Sequence, residues 1–241
     1  MKVAVGTSGF AYKAWRGTFY PADLKEADFL PFYATRLAAV EINNTFYRMP
    51  KEALLAEWAS RVPATFTFVL KAPQRITHMK RLKDAGEDVA YFLQTANVLG
   101  PQLGPTLFQL PPNFKQDLPR LEAFLGLIPR TWRAAFEFRH PSWFDEATYA
   151  MLRAHGAALV WAESDPEEGE AAAVPPLVPT AGWGYLRLRR AGYGAAELAA
   201  WAGRLRAQAW DEAYVFFKHE ESGTGPRLAA EFAALLGGAA A

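Results

Sequence analysis

The chain contains no cysteine, which excludes disulfides and thiolate metal ligands. It also lacks net charge of consequence: 26 basic against 25 acidic residues leave +1, so no global field favours nucleic acid or a membrane surface. Any charge preference must be local. Long apolar runs are missing, and no segment approaches the ~20 residues needed to span a bilayer. The opening Met1-Lys2-Val3-Ala4-Val5-Gly6 reads as a strand rather than as a targeting segment. Together these absences predict a soluble, cytoplasmic protein with no membrane partner. Histidine is scarce at four residues, and no His-x-x-x-His spacing occurs.

What the sequence has is apolar and aromatic bulk, 51% hydrophobic and 14% aromatic over 241 residues. That suits one large core, and a closed α/β barrel typically takes about 250 residues. Strand-like segments at 3–6, 39–43, 66–71, 105–110, 134–139, 157–162, 184–189 and 213–218 alternate with helix-like segments near 27–38, 51–61, 88–99, 117–127, 145–155, 195–208 and 226–236. His155-Gly156 has the chemistry of a helix end and Pro226 that of a first helical residue. The pattern predicts an α/β fold, a single-domain TIM-type (β/α)8 barrel over residues 1–241. One connection departs from it: 163–170 is acidic and Val174-Pro175-Pro176-Leu177-Val178-Pro179 cannot be a regular helix. The helix between strands six and seven is therefore read as reduced or missing.

The strands carry polar residues where a sealed core needs none. Side chains alternate faces along a strand. In Phe136-Glu137-Phe138-Arg139 the two Phe point outward, leaving Glu137 and Arg139 together on the other face. The same reading puts Glu41 and Asn43, Lys71, Gln109, Arg187 with Arg189, and Lys218 on the inner face at the C-terminal strand ends, where barrel chemistry sits. A buried, imperfectly paired ion costs several kcal/mol, so the set points to a site. A structural ion-pair network is the alternative for any one member.

Several motifs also resemble a known family. They are Gly6-Thr7-Ser8-Gly9-Phe10-Ala11-Tyr12, Val40-Glu41-Ile42-Asn43-Asn44-Thr45-Phe46-Tyr47, Lys71-Ala72-Pro73 with Thr77-His78, Phe108-Gln109-Leu110-Pro111-Pro112, and Phe136-Glu137-Phe138-Arg139-His140-Pro141-Ser142-Trp143. In this order, across residues 1–145, they resemble the YecE-like family, domain-of-unknown-function family 72. The resemblance implies a TIM-type barrel and carries no activity. Two departures stand out: Arg187-Leu188-Arg189-Arg190 where the family tends to Arg-Leu-His-Gly, and Lys218-His219 where it tends to paired asparagines. Both make that side of the mouth more basic.

These residues favour an enzyme of the hydrolase, lyase or isomerase kind. It would use general acid/base chemistry on a small anionic, phosphorylated or carboxylated, molecule, without an organic cofactor. In this reading Arg187, Lys218 and Arg139, with Arg189, hold the anion. Glu137 or Glu41 is the base, His78 carries protons, and Lys71, able to pair with Glu41, completes the catalytic set. Asn43, Gln109 and Tyr47 orient the substrate, beside His140 and Trp143. Gly192-Tyr193-Gly194 and Gly223-Thr224-Gly225-Pro226, each opening a helix, are candidate phosphate loops. A metal held by Glu41, Glu137, His78, His140 and His219 is disfavoured by five inward cations. Alternatives are a nucleic-acid enzyme or binder, its aromatic rim of Phe10, Tyr12, Trp15, Phe19, Tyr20, Phe46, Tyr47 and Trp143 stacking bases, and a non-catalytic ligand-binding barrel. The oligomeric state is not legible.

Overall fold

A computed structural model describes residues 1–164, 175–190, 192–218 and 222–237. Eight parallel strands close into a barrel in sequence order: β1 (Lys2–Ser8), β2 (Ala39–Ile42), β3 (Thr67–Lys71), β4 (Leu103–Gln109), β5 (Ala134–Glu137), β6 (Ala158–Ser164), β7 (Trp183–Arg189) and β8 (Glu212–Phe217). Closure is made by β8 against β1, with Lys2 opposite Glu212 and Thr7 opposite Phe217. Helices α1 (Phe29–Ala34), α2 (Asn44–Tyr47), α3 (Glu52–Ser60), α4 (Gly86–Ala96), α5 (Leu118–Leu125), α6 (Glu146–His155) and α7 (Ala195–Arg206) lie between the strands, and α8 (Thr224–Leu235) follows β8. Residues 175–182, leading into β7, contain no helix; the acidic stretch lies, from residue 165 on, outside the described residues.

Strand alternation builds two cores. Val40, Ile42, Phe68, Leu70, Phe108, Phe136, Leu186, Leu188, Val215 and Phe217 face outward into the main core between strands and helices. Ala39, Val69, Leu107, Ala135, Val160, Tyr185 and Phe216 face inward and fill the lower lumen as a separate cluster. The close approach of β1 to β2 requires Gly6, because a Cβ there would fall 1.8 Å from the Ala39 carbonyl oxygen.

Local chemistry sets several ends. Asp145 caps α6 by accepting from the Thr148 N–H at 2.9 Å, and Gly156 closes it in the left-handed region at φ 65°. Other ends differ from expectation. β2 stops at Ile42 and β5 at Glu137, so Asn43 and Arg139 sit just beyond their strands. Likewise α8 starts at Thr224, two residues before Pro226. The single turn α2 and the π-helical turn Arg75–Met79 were not anticipated, since four or five residues are too few to show a helical period. No helix among the described residues is long and apolar enough to cross a membrane.

Candidate functional site

Each inner strand face changes character as it rises toward the C-terminal end. Ala39 gives way to Glu41, Val69 to Lys71, Leu107 to Gln109, Ala135 to Glu137, Tyr185 to Arg187 and Phe216 to Lys218. Period-two alternation puts each pair on one face, so six strands present polar groups above an apolar plug.

The first polar layer is closed and balanced. Arg187 bridges both carboxylates: Nε and Nη2 donate to Glu41 Oε2 and Oε1 at 3.0 and 2.8 Å, and Nη1 donates to Glu137 Oε2 at 2.5 Å. Glu41 also accepts from Ser8 Oγ at 2.7 Å and Tyr185 Oη at 2.6 Å. Glu137 accepts from Gln109 Nε2 at 2.8 Å and Arg139 Nε at 3.2 Å, and Arg189 Nη1 stands 3.8 Å away. Both carboxylates are buried, at 0% and 2% exposure. Burial pushes the Glu41 carboxyl up, but Arg187, aided by the Tyr185 and Ser8 hydrogen bonds, outweighs this and holds it below the usual range. For Glu137, burial is likewise outweighed, by the charges of Arg187, Arg139 and Arg189, and the group stays ionised.

Above this layer opens a cavity of about 840 Å³ lined by Tyr12, Asn43, Asn44, Phe46, Tyr47, Lys71, Gln74, His78, Gln109, Arg139, Arg187, Arg189 and Lys218. Among the described residues, five basic side chains and no carboxylate line it. Lys71 is 9% exposed. Its Nζ donates to Gln109 Oε1 at 2.8 Å and sits 3.9 Å from the centroid of the Phe46 ring. Burial, reinforced by Arg187, lowers its pKa to about 7, the two glutamates opposing only in part. A large fraction is therefore neutral amine near neutral pH. His78 packs edge-on to the same Phe46 ring at 4.8 Å and hydrogen-bonds Thr77 Oγ1 through Nδ1 at 2.9 Å. Asn43 Oδ1 is buried with no hydrogen-bond partner among the described residues.

The structure thus gathers Lys71, His78, Asn43, Tyr47, Gln109, Arg139, Arg187, Arg189 and Lys218 at one cavity. It does not bring the others there. Glu41 and Glu137 lie beneath the cavity with their oxygens occupied, and Glu41 pairs with Arg187 rather than with Lys71. His140 is turned to Ser142, whose hydroxyl is 2.8 Å from Nδ1. Trp143 is fully buried, stacked on Phe138 at 4.6 Å, with its N–H donated to the Phe114 carbonyl at 2.8 Å. Of the aromatic rim only Tyr12, Phe46 and Tyr47 reach the cavity; Trp15 and Tyr20 are core.

The glycine turns are packed elsewhere. The Gly194 N–H at the start of α7 already donates to Glu197 Oε2 at 2.9 Å, and a Cβ at Gly223 would meet Thr18 Oγ1 at 2.6 Å. No cluster of three metal-ligating side chains occurs among the described residues, which do not include His219. Residues missed from sequence are Ser8 and Tyr185, which hold Glu41, and Gln74 and Asn44 on the cavity wall. Tyr185 had a signal, since alternation puts it on the face of Arg187.

A family model described as protein of unknown function DUF72 matches residues 4–241. The chain belongs to the DUF72 family. The likeness read over residues 1–145 thus extends through the basic strand β7. UPF0759 protein YecE of Escherichia coli K12 is 34% identical over 113 residues, 46% of this chain and 42% of that protein. UPF0759 protein YunF of Bacillus subtilis 168 is 28% identical over 168 residues, 64% of this chain and 58% of that one. The matched stretches therefore span less than two thirds of these curated relatives. Among solved structures, a DUF72 family protein from Thermotoga maritima MSB8 superimposes with TM-score 0.85 at 29% identity, covering 98% of this chain and 100% of that one. Another, from Enterococcus faecalis V583, gives 0.78 at 20% identity over 99% and 98%, a likeness of fold alone.

Proposed function

We propose that this DUF72 protein is an enzyme acting by general acid/base chemistry on a small anionic molecule, phosphorylated or carboxylated, at the C-terminal mouth of the barrel. One observation carries the reading: five basic side chains and no carboxylate line the cavity among the described residues. The two nearby glutamates lie beneath it with their oxygens bonded within the floor, so the wall that faces the cavity among the described residues is basic, which favours an anionic ligand. Lys218, Arg139 and Arg189 hold that ligand. Arg187, gripped by both glutamates, fixes the floor. Proton transfer falls to Lys71, whose amine is lowered to about 7, and to His78, which shares Phe46 with it. Glu41 and Glu137 set the electrostatics rather than react.

Thermal unfolding with added phosphate or citrate at constant ionic strength tests the anion. A ligand at a hundredfold its Kd stabilises by about 2.7 kcal/mol, roughly 5–10 °C for a domain of this size. The shift should disappear in the Arg139→Met, Lys218→Met double variant. An unchanged midpoint in the wild type with phosphate, citrate and sulfate alike would overturn the reading.

A further inference from the structure

We propose that Lys71 is a covalent centre, forming an imine with a small aldehyde or ketone that carries a carboxylate or phosphate. This rests on the anion reading above and names the substrate class for it. Three features of the cavity carry it. First, among the described residues no carboxylate lies within ion-pair distance of Lys71 Nζ; its acceptor is the neutral amide oxygen Gln109 Oε1 at 2.8 Å, which fixes an N–H and leaves the lone pair of the uncharged amine directed elsewhere. The ring of Phe46, 3.9 Å away, covers one side of the nitrogen, so approach is from the cavity that Lys71 lines. Burial keeps much of the amine unprotonated near neutrality.

Second, Asn43 follows Ile42, which pairs with Leu70 on the neighbouring strand, one residue before Lys71. Its orphan acceptor Oδ1 has no use for a carbonyl oxygen, which cannot donate, but matches the hydroxyl of a carbinolamine. Third, the surrounding Arg139, Arg189 and Lys218 neutralise an acid group on the same molecule.

The chemistry balances without any further reagent. The Lys71 lone pair forms the C–N bond as the carbonyl π pair moves to oxygen. That oxygen takes one proton from the attacking nitrogen and a second from His78. The C–O bond then breaks, water leaves, and a protonated imine remains. The extra positive charge faces the ligand's own anion.

The test is reductive trapping on the full chain, with cyanoborohydride and either pyruvate or glyceraldehyde 3-phosphate, read by peptide mass mapping. With pyruvate, Lys71 should gain the mass of pyruvic acid less one oxygen, at least about tenfold faster at pH 7 than the exposed Lys51. Its rate should rise with pH through about 7, and phosphate should compete. Whichever of the two compounds labels faster distinguishes a carboxylate ligand from a phosphate one. Lys71→Arg should abolish the label and keep the phosphate-induced thermal shift. If phosphate stabilises the protein yet Lys71 is labelled no faster than Lys51, the imine is overturned and the anion reading stands. If neither effect is seen, both fall. Equal labelling by acetone would overturn the anionic class.

Discussion

Arg187 and Arg189 stand two residues apart on the same face of β7, and the layers to which they belong differ in how charge is balanced. Around Arg187, two carboxylates meet its guanidinium, a tyrosine, a serine and an amide, with Arg139 and Arg189 also reaching Glu137 from above, and both glutamates lie below their ordinary pKa range. This is what burial demands of ions that serve the fold. One step up, Arg189 joins Arg139, Lys218 and a lysine lowered to about 7 around open volume. A fold that needed only to seal its barrel would end in branched apolar residues. The difference separates the most conspicuous charge in the sequence, Glu137, whose oxygens are bonded within the floor, from the lysine above it, to which the proposed function gives the chemistry.

The sharpest way to break the comparison is to remove the balance below. Arg187→Met leaves Glu41 and Glu137 buried without their shared cation. Breaking a buried pair in this way costs about 3–5 kcal/mol; Glu41 is left with the Ser8 and Tyr185 hydroxyls alone, whereas Glu137 keeps Arg139 at 3.2 Å and Arg189 at 3.8 Å. Urea unfolding should show a loss of that size or a chain that does not fold. A loss below about 1 kcal/mol would mean that the lower layer does not depend on its ion pairs.

Much of this arrangement was legible because period two is a strong signal. It placed Glu41, Lys71, Gln109, Glu137, Arg187 and Lys218 on inner faces, and eight such strands with helices between them left the closed barrel as the fold. Pairing across the lumen was not legible. The sequence allows Lys71 to pair with Glu41, but β2 and β3 set Glu41 opposite Val69, leaving Lys71 one layer higher. Only the stagger of the closed sheet reveals that, and stagger has no local sequence signature. His140 and Trp143 misled for another reason: the chain leaves β5 at Glu137, and a three-residue 3-10 turn, Pro141–Trp143, carries Trp143 into the core.

Removing the lysine tests the upper layer, with the opposite sign. The folded Lys71 titrates near 7 and an unfolded lysine at about 10.4. Between those values the unfolded chain binds the extra proton, so this group makes stability rise with pH; below about 7 its burial is a constant cost. Lys71→Met removes that cost and loses the Gln109 hydrogen bond and the Phe46 contact. The net expectation is a gain of about 2 kcal/mol at pH 6 that shrinks as the pH is raised toward 10. A destabilised variant at pH 6 would make Lys71 a structural residue like Arg187.

The finest discrimination comes from Tyr185, which touches only the lower layer. Tyr185→Phe removes the 2.6 Å hydrogen bond to Glu41 Oε2 while Arg187 Nε still donates to that oxygen at 3.0 Å. The expected loss is about 1 kcal/mol at pH 7. Because the bond is made to the ionised carboxylate, whose folded pKa is depressed, the loss should be full above the unfolded value of about 4.3 and fade as pH falls below it. The phosphate-induced shift in midpoint should not change, since Tyr185 does not line the cavity. A pH-independent loss would place the hydroxyl's contribution in the space it fills, since the ring and its contact with Phe216 are kept in the variant. A weakened phosphate effect would show instead that floor and mouth act as one unit, with the orientation of Arg187 transmitting between them.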